Sequence, residues 1–171
     1  ITGVLTLFQN VTIQGPGSGV ITISGNNASL VFTVNSGVTA TISGLTIAQG
    51  SGSFGGGISN SGNLTLSDCV FENNTANGGG GALYSLGTLT ATNCAFTGNT
   101  ATFSSGGALV NDGTTTLSNC SFTNNSASIG GGAIYNSAIT TCTNCAFTGN
   151  SSNHGGAIFH WHPLHPDDVY L

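Results

Sequence analysis

The chain is predicted to fold as an all-β parallel β-helix, a β-solenoid of about seven coils of 24–26 residues with three short strands per coil. Three observations predict it. A block that runs from Gly79-Gly80-Gly81-Ala82-Leu83 through Cys94 and Phe96 to Asn99 returns at 106–125 and 131–150, with an earlier copy at 55–74. The cysteines of these blocks, Cys69, Cys94, Cys120 and Cys145, are spaced by 25, 26 and 25 residues, and repetition on that scale marks a solenoid, propeller or array. Within each block apolar and hydroxyl side chains alternate, Leu64 and Leu66 with Thr65 and Ser67, Leu89 and Ala91 with Thr90 and Thr92. That is the period of a strand with one buried face.

In chain order, residues 1–50 read as irregular coils without cysteine. Short β-rich runs (Val4 to Phe8, Val11 to Ile13, Val20 to Ile23, Leu30 to Val34) are broken at Gly15-Pro16-Gly17, Gly25-Asn26-Asn27 and Asn35-Ser36-Gly37. Ala40 to Ile47 then matches the later units, and regular coils fill 51–159. In each, the alternating strand ends at an Asx-Cys corner (Asp68, Asn93, Asn119, Asn144). A second strand follows in which Cys and Phe, two apart, point the same way. A third begins after the glycines, with Tyr84, Val110 and Tyr135 beside it. Equivalent positions stack at about 4.8 Å, which predicts a core ladder of Cys69, Cys94, Cys120 and Cys145 beside Phe71, Phe96, Phe122 and Phe147. The asparagine after each Phe is expected to bond to its neighbours one coil up and down, and Asn and Gly suit corners that need left-handed backbone. At 160–171 the pattern stops in a His- and Pro-rich tail with the only Trp. Prolines do not continue a sheet interior, so this tail is expected to cap the helix, lie along its side or reach another molecule.

Composition narrows the function. Only 3% of the 171 residues are charged, none is Lys or Arg, and the net charge is −5. A chain without cations has nothing to neutralise phosphate, which argues against nucleic acid and against anionic lipid head groups. No apolar run reaches the roughly 18–20 residues of a membrane span. The sequence opens without Met or a leader, as expected of a processed or excerpted, secreted chain.

The paired motifs GGA[IL] and FxxN, here GGAL, GGAL, GGAI and GGAI with FENN, FTGN, FTNN and FTGN, resemble the repeats of chlamydial polymorphic outer-membrane proteins and of secreted bacterial β-helix proteins. The resemblance spans roughly 37–159. It implies a right-handed parallel β-helix at the cell surface with adhesive or scaffolding roles, although this chain contains no C-terminal membrane barrel.

Candidate chemistry is sparse. Cys142 and Cys145 form a CxxC, a redox pair or half a metal site; but Cys142 stands where Leu66, Ala91 and Leu117 stand, and no second CxxC exists. The expectation is therefore core thiols. His154, His160, His162 and His165 suit a transition metal or an interface, and no metal or cofactor is assigned. Asp167 and Asp168 are adjacent in the tail, whereas glycosidase chemistry needs two opposed carboxylates on a rigid frame; the chain is read as not an enzyme. Thr41, Thr65, Thr90, Thr116 and Thr141 form an outward column, an ice-binding face or merely good exposed strand residues. The leading expectation is a non-catalytic extracellular subunit that stacks head to tail into a filament, since open ends of a solenoid invite another chain. Its interface would take Val4, Leu5 and Leu7 at one end and His160, Trp161, His162, Val169, Tyr170 and Leu171 at the other. Rival readings are an adhesin fragment that meets glycans or a host surface, the ice binder and, least favoured, a carbohydrate-active enzyme.

Overall fold

The computed structural model describes residues 2–161 and the backbone of the strand Val169–Tyr170. Every strand pairing in it is parallel and joins one coil to the next. The strands collect into four sheets of seven, six, four and seven members that run along the solenoid axis. One coil shows how the sequence makes the turn. Ile58–Asn60 lies on the first face and Asn63–Ser67 on the second; the corner at Asp68 leads to Val70–Glu72 on the third. Thr75–Ala76 forms a fourth, two-residue ladder, and the glycines then close the coil beneath Leu83–Ser85. The fourth ladder adds to the three expected strands. Seven strands on a face enclose about six turns, not seven, because the first and last coils contribute only part of their circuit.

Register is set by burial. Leu64, Leu66 and Phe71 are fully buried while Thr65 points out, and a slip by one residue would turn every apolar side chain to solvent. The coils therefore repeat position for position: Leu83 pairs Leu109 and Ile58, Phe96 pairs Phe71 and Phe122, and Thr90 pairs Thr65 and Thr116. The core is one continuous column of such side chains from Val31 to Cys142.

The corners explain the Asn and Gly content. Asp68, Asn93, Asn119 and Asn144 all adopt φ of +53°, left-handed backbone that Asn and Asp tolerate better than other residues with a Cβ. In the GGA motif each glycine has its own task. The first takes positive φ (Gly80 at +65°, Gly106 at +69°). The second has no space: a Cβ on Gly107 would lie 2.1 Å from the Gly132 carbonyl oxygen.

Candidate functional site at the faces and ends of the coil

The inward column comes first. Cys69, Cys94 and Cys120 are buried and Cys145 is half-buried at the last coil. Each thiol donates to the carbonyl two residues back, for example Cys94 to Thr92 at 3.3 Å. All five cysteines are free. The neighbouring Cys94 thiol lowers Cys69 and Cys120 to about 7, yet both lie sealed in the core. Burial pushes Cys142 up to about 12 and also raises Cys145. Beside the thiols Phe71, Phe96, Phe122 and Phe147 stack with centroids 4.9, 4.7 and 5.0 Å apart and planes within 8° of parallel. The in-register strands hold the rings parallel at about the strand spacing of 4.8 Å. Phe147 is partly exposed at the end of the stack.

Asn74, Asn99 and Asn125, all buried, and the half-buried Asn150 form an amide ladder next to the rings. Asn99 Nδ2 donates to Asn125 Oδ1 and to the Phe71 carbonyl, both at 3.0 Å, while its Oδ1 accepts from the backbone and side chain of Asn74. A second polar ladder, which sequence reasoning missed, lies inward on the first face: Asn60, Ser85, Asn111, Asn136 and His160. Asn111 Nδ2 donates to Asn136 Oδ1 at 2.8 Å, and Asn136 Nδ2 meets His160 Nδ1 at 3.0 Å. The signal was present two residues after each GGA[IL], in ISN, LYS, LVN, IYN and IFH. His160 thus faces inward on its own coil.

The outward face of Asn63–Ser67 and its neighbours carries hydroxyls. Thr12, Thr41, Thr65, Thr90, Thr116 and Thr141 are paired in unbroken register, with Ser43, Ser67, Thr92, Ser118 and Thr143 beside them. Rows are about 4.8 Å apart along the axis. The column ends on the tail, where Val169 and Tyr170 pair with Thr140 and Thr141 of the same chain.

At the other end Leu5–Leu7, Val11–Gln14 and Thr22–Ser24 are the outermost described strands of three sheets. Val4, Leu5, Phe8, Val20 and Ile21 are exposed there, and Leu7 packs against the core. Trp161 is two-thirds exposed. The backbone of Val169 and Tyr170 is described, whereas His162, His165, Asp167, Asp168 and Leu171 lie outside the described residues. His154 and His160 stand on different sides of the last coil, one exposed beside the Phe159 ring and the other turned inward. Among the described residues no three His, Cys, Asp or Glu side chains are grouped as metal ligands would be, and no helix is long and apolar enough to cross a membrane.

An all-parallel coil with inward ladders, amide stacks and a glycine corner in every turn defines a β-helical solenoid. The chain belongs to the family described as the right-handed β-helix region, whose profile matches residues 2–164. No curated protein and no solved structure matches it. Chains of this fold include both enzymes and non-enzymes, so membership by itself assigns no reaction.

Proposed function

We propose that the chain is a non-catalytic structural module, held outside the cell, that associates end to end with further copies. The observation that carries this reading is the apolar first coil. Val4, Leu5, Phe8, Val20 and Ile21 are exposed together beside the outer edges of three sheets, and an exposed edge flanked by apolar side chains is a template for strand addition. The three sheets whose edges open at the first coil also end at the last, so the last coil of a second copy offers strand edges on the same faces. Its half-buried Phe147 and Ile158 would continue the core columns. The tail strand Val169–Tyr170 already occupies the edge of the second face at that end, so an incoming copy would meet the tail on that side and open edges on the others. With no Lys or Arg and few acids, little repulsion opposes the contact.

Electron microscopy and light scattering test it on the intact chain, on Leu5→Asp with Ile21→Asp, and on a chain ending at residue 159. Rods of several chain lengths that shorten to single units in the double variant are expected. Single units in all three samples would sink the proposal.

A second reading is ice binding through the hydroxyl face, favoured by the unbroken register of the threonine column. Thr90→Tyr with Thr116→Tyr would then abolish ice shaping while leaving rod length unchanged. No ice shaping by the parent chain would remove this reading.

A further inference from the structure

The first face carries a second outward feature, independent of the ends. Ser59, Tyr84, Val110, Tyr135 and Phe159 are paired in register along it, with Val110 buried under the glycine corner between the two tyrosines. Two residues further along each strand the same side presents Leu86, Asp112, Ser137 and Trp161. The rings line a lane in two clusters, Phe54 with Tyr84 on one side of Val110 and Tyr135 with Phe159 and Trp161 on the other. Phe54 lies 5.0 Å from Tyr84, Phe159 lies 5.9 Å from Tyr135, and Trp161 lies 6.2 Å from Phe159. Glycine makes room for it, because a Cβ on Gly78 would strike the Phe54 ring at 2.6 Å and one on Gly130 the Phe159 ring at 2.9 Å. Phe54, Leu86, Phe103, Ile129 and Trp161, which are at least half exposed, all sit on this face or its glycine corner.

In the middle stands one carboxylate. Asp112 is half-buried; it accepts from the Tyr84 hydroxyl at 2.5 Å and from the Ser137 hydroxyl. Burial of the Tyr135 ring and, after it, the charge of Asp112 raise the phenol of Tyr135. The chain has no Lys or Arg to set against it. Any molecule that covers the lane removes Asp112 from water, and a carboxylate buried without a counter-charge is strongly disfavoured. A second copy of this chain brings no Lys or Arg, and two copies related by a two-fold axis here would oppose the carboxylates. An anionic partner would be repelled.

We propose that this lane docks a basic segment of another polypeptide, with a guanidinium or ammonium seated on Asp112 and the flanking apolar side chains laid on the Tyr84, Tyr135 and Trp161 rings. A guanidinium forks onto a carboxylate and stacks on aromatic faces, and tyrosine, tryptophan and arginine are the residues that dominate interface energetics. The proposal concerns the side of the rod and does not depend on end-to-end association.

Selection of a short random peptide library on the intact chain, counter-selected on Asp112→Asn, tests it. Enrichment of Arg- or Lys-bearing peptides is expected. Their affinity, followed by the fluorescence of Trp161, should fall roughly tenfold or more for Asp112→Asn or for citrulline in place of arginine, and should weaken with salt. An unchanged thermal melt for Asp112→Asn shows that the coil is intact, and Trp161→Ala, at the rim, should weaken the same peptides without touching Asp112. Enrichment of peptides without basic residues, failure to enrich any peptide over the variant, or quenching of Trp161 by a neutral oligosaccharide that persists in Asp112→Asn would overturn the proposal.

Discussion

Asn99 shows how much one polar side chain does inside this coil. Its amide closes four hydrogen bonds to three residues in the coils on either side, and its backbone N–H donates to Asn125. Replacing it with leucine keeps the bulk and strands the Asn74 donors and the Phe71 carbonyl in the core. Each orphaned buried group costs about 1–3 kcal/mol, so Asn99→Leu should lower the unfolding free energy by on the order of 3 kcal/mol or more in a urea titration. Serine at the equivalent of a second-ladder asparagine, Ser85, is tolerated because its neighbour Asn60 reaches it at 3.1 Å. Tyr84 gives a pH-dependent test. Burial and the hydrogen bond to Asp112 raise its phenol above the ordinary value near 10. A group whose folded pKa is raised contributes stability that is fully present below its unfolded pKa and is lost as pH climbs above it. Stability should therefore decline from about pH 10 upward, and less steeply in Tyr84→Phe, as followed by circular dichroism.

At the scale of the element, the unit is the corner and not the strand. Strands of two to five residues have little independent stability; they persist because each corner delivers the next strand in register. The glycine corner has no steric freedom, since Gly81, Gly107 and Gly132 stand where a Cβ would press a carbonyl oxygen of the next coil at 2.1–2.2 Å. Gly107→Ala should cost more than about 3 kcal/mol or prevent folding. Gly3→Ala, with nothing within 4 Å, should leave the melting temperature unchanged. These elements were legible in the sequence because their cause is periodic: alternation shows the long strand, and the recurring Asx-Cys and GGA pairs show two of the corners. The Thr75–Ala76 ladder was not legible, because two residues carry no period. The Tyr84, Asp112 and Ser137 cluster escaped for another reason. Its members are 28 and 25 residues apart and differ in type from coil to coil, so no repeated letter marks them, and only stacking brings them together.

Across the whole molecule, accessibility falls from the ends inward. Cys145 is the thiol with most access to solvent, at the open side of the last coil, while Cys69, Cys94, Cys120 and Cys142 are sealed. Mild alkylation of the folded chain near pH 8 should label Cys145 alone, and labelling in denaturant should reach all five. Two or more fast thiols in the native chain would show that coils open from their ends. The return of the tail as Val169–Tyr170 onto Thr140–Thr141 is a pairing that a segment with no repeat could not announce. Contacts otherwise run between adjacent coils, so stability adds coil by coil. Removal of 84–109 would join Leu83 to Val110 and bring like onto like, because Leu83 and Leu109 hold the same register position. Such a chain should fold with a modestly lower melting temperature, whereas removal of half a coil should abolish the transition.

The glycine corner has one more consequence. Since nothing larger than a hydrogen atom fits where consecutive coils meet there, the width of the solenoid is fixed while its length is free. A gene for it can lengthen or shorten by duplicating or losing whole turns, much as a stack of coins changes height without changing diameter. Selection can thus adjust the length of the rod without redesigning a single contact.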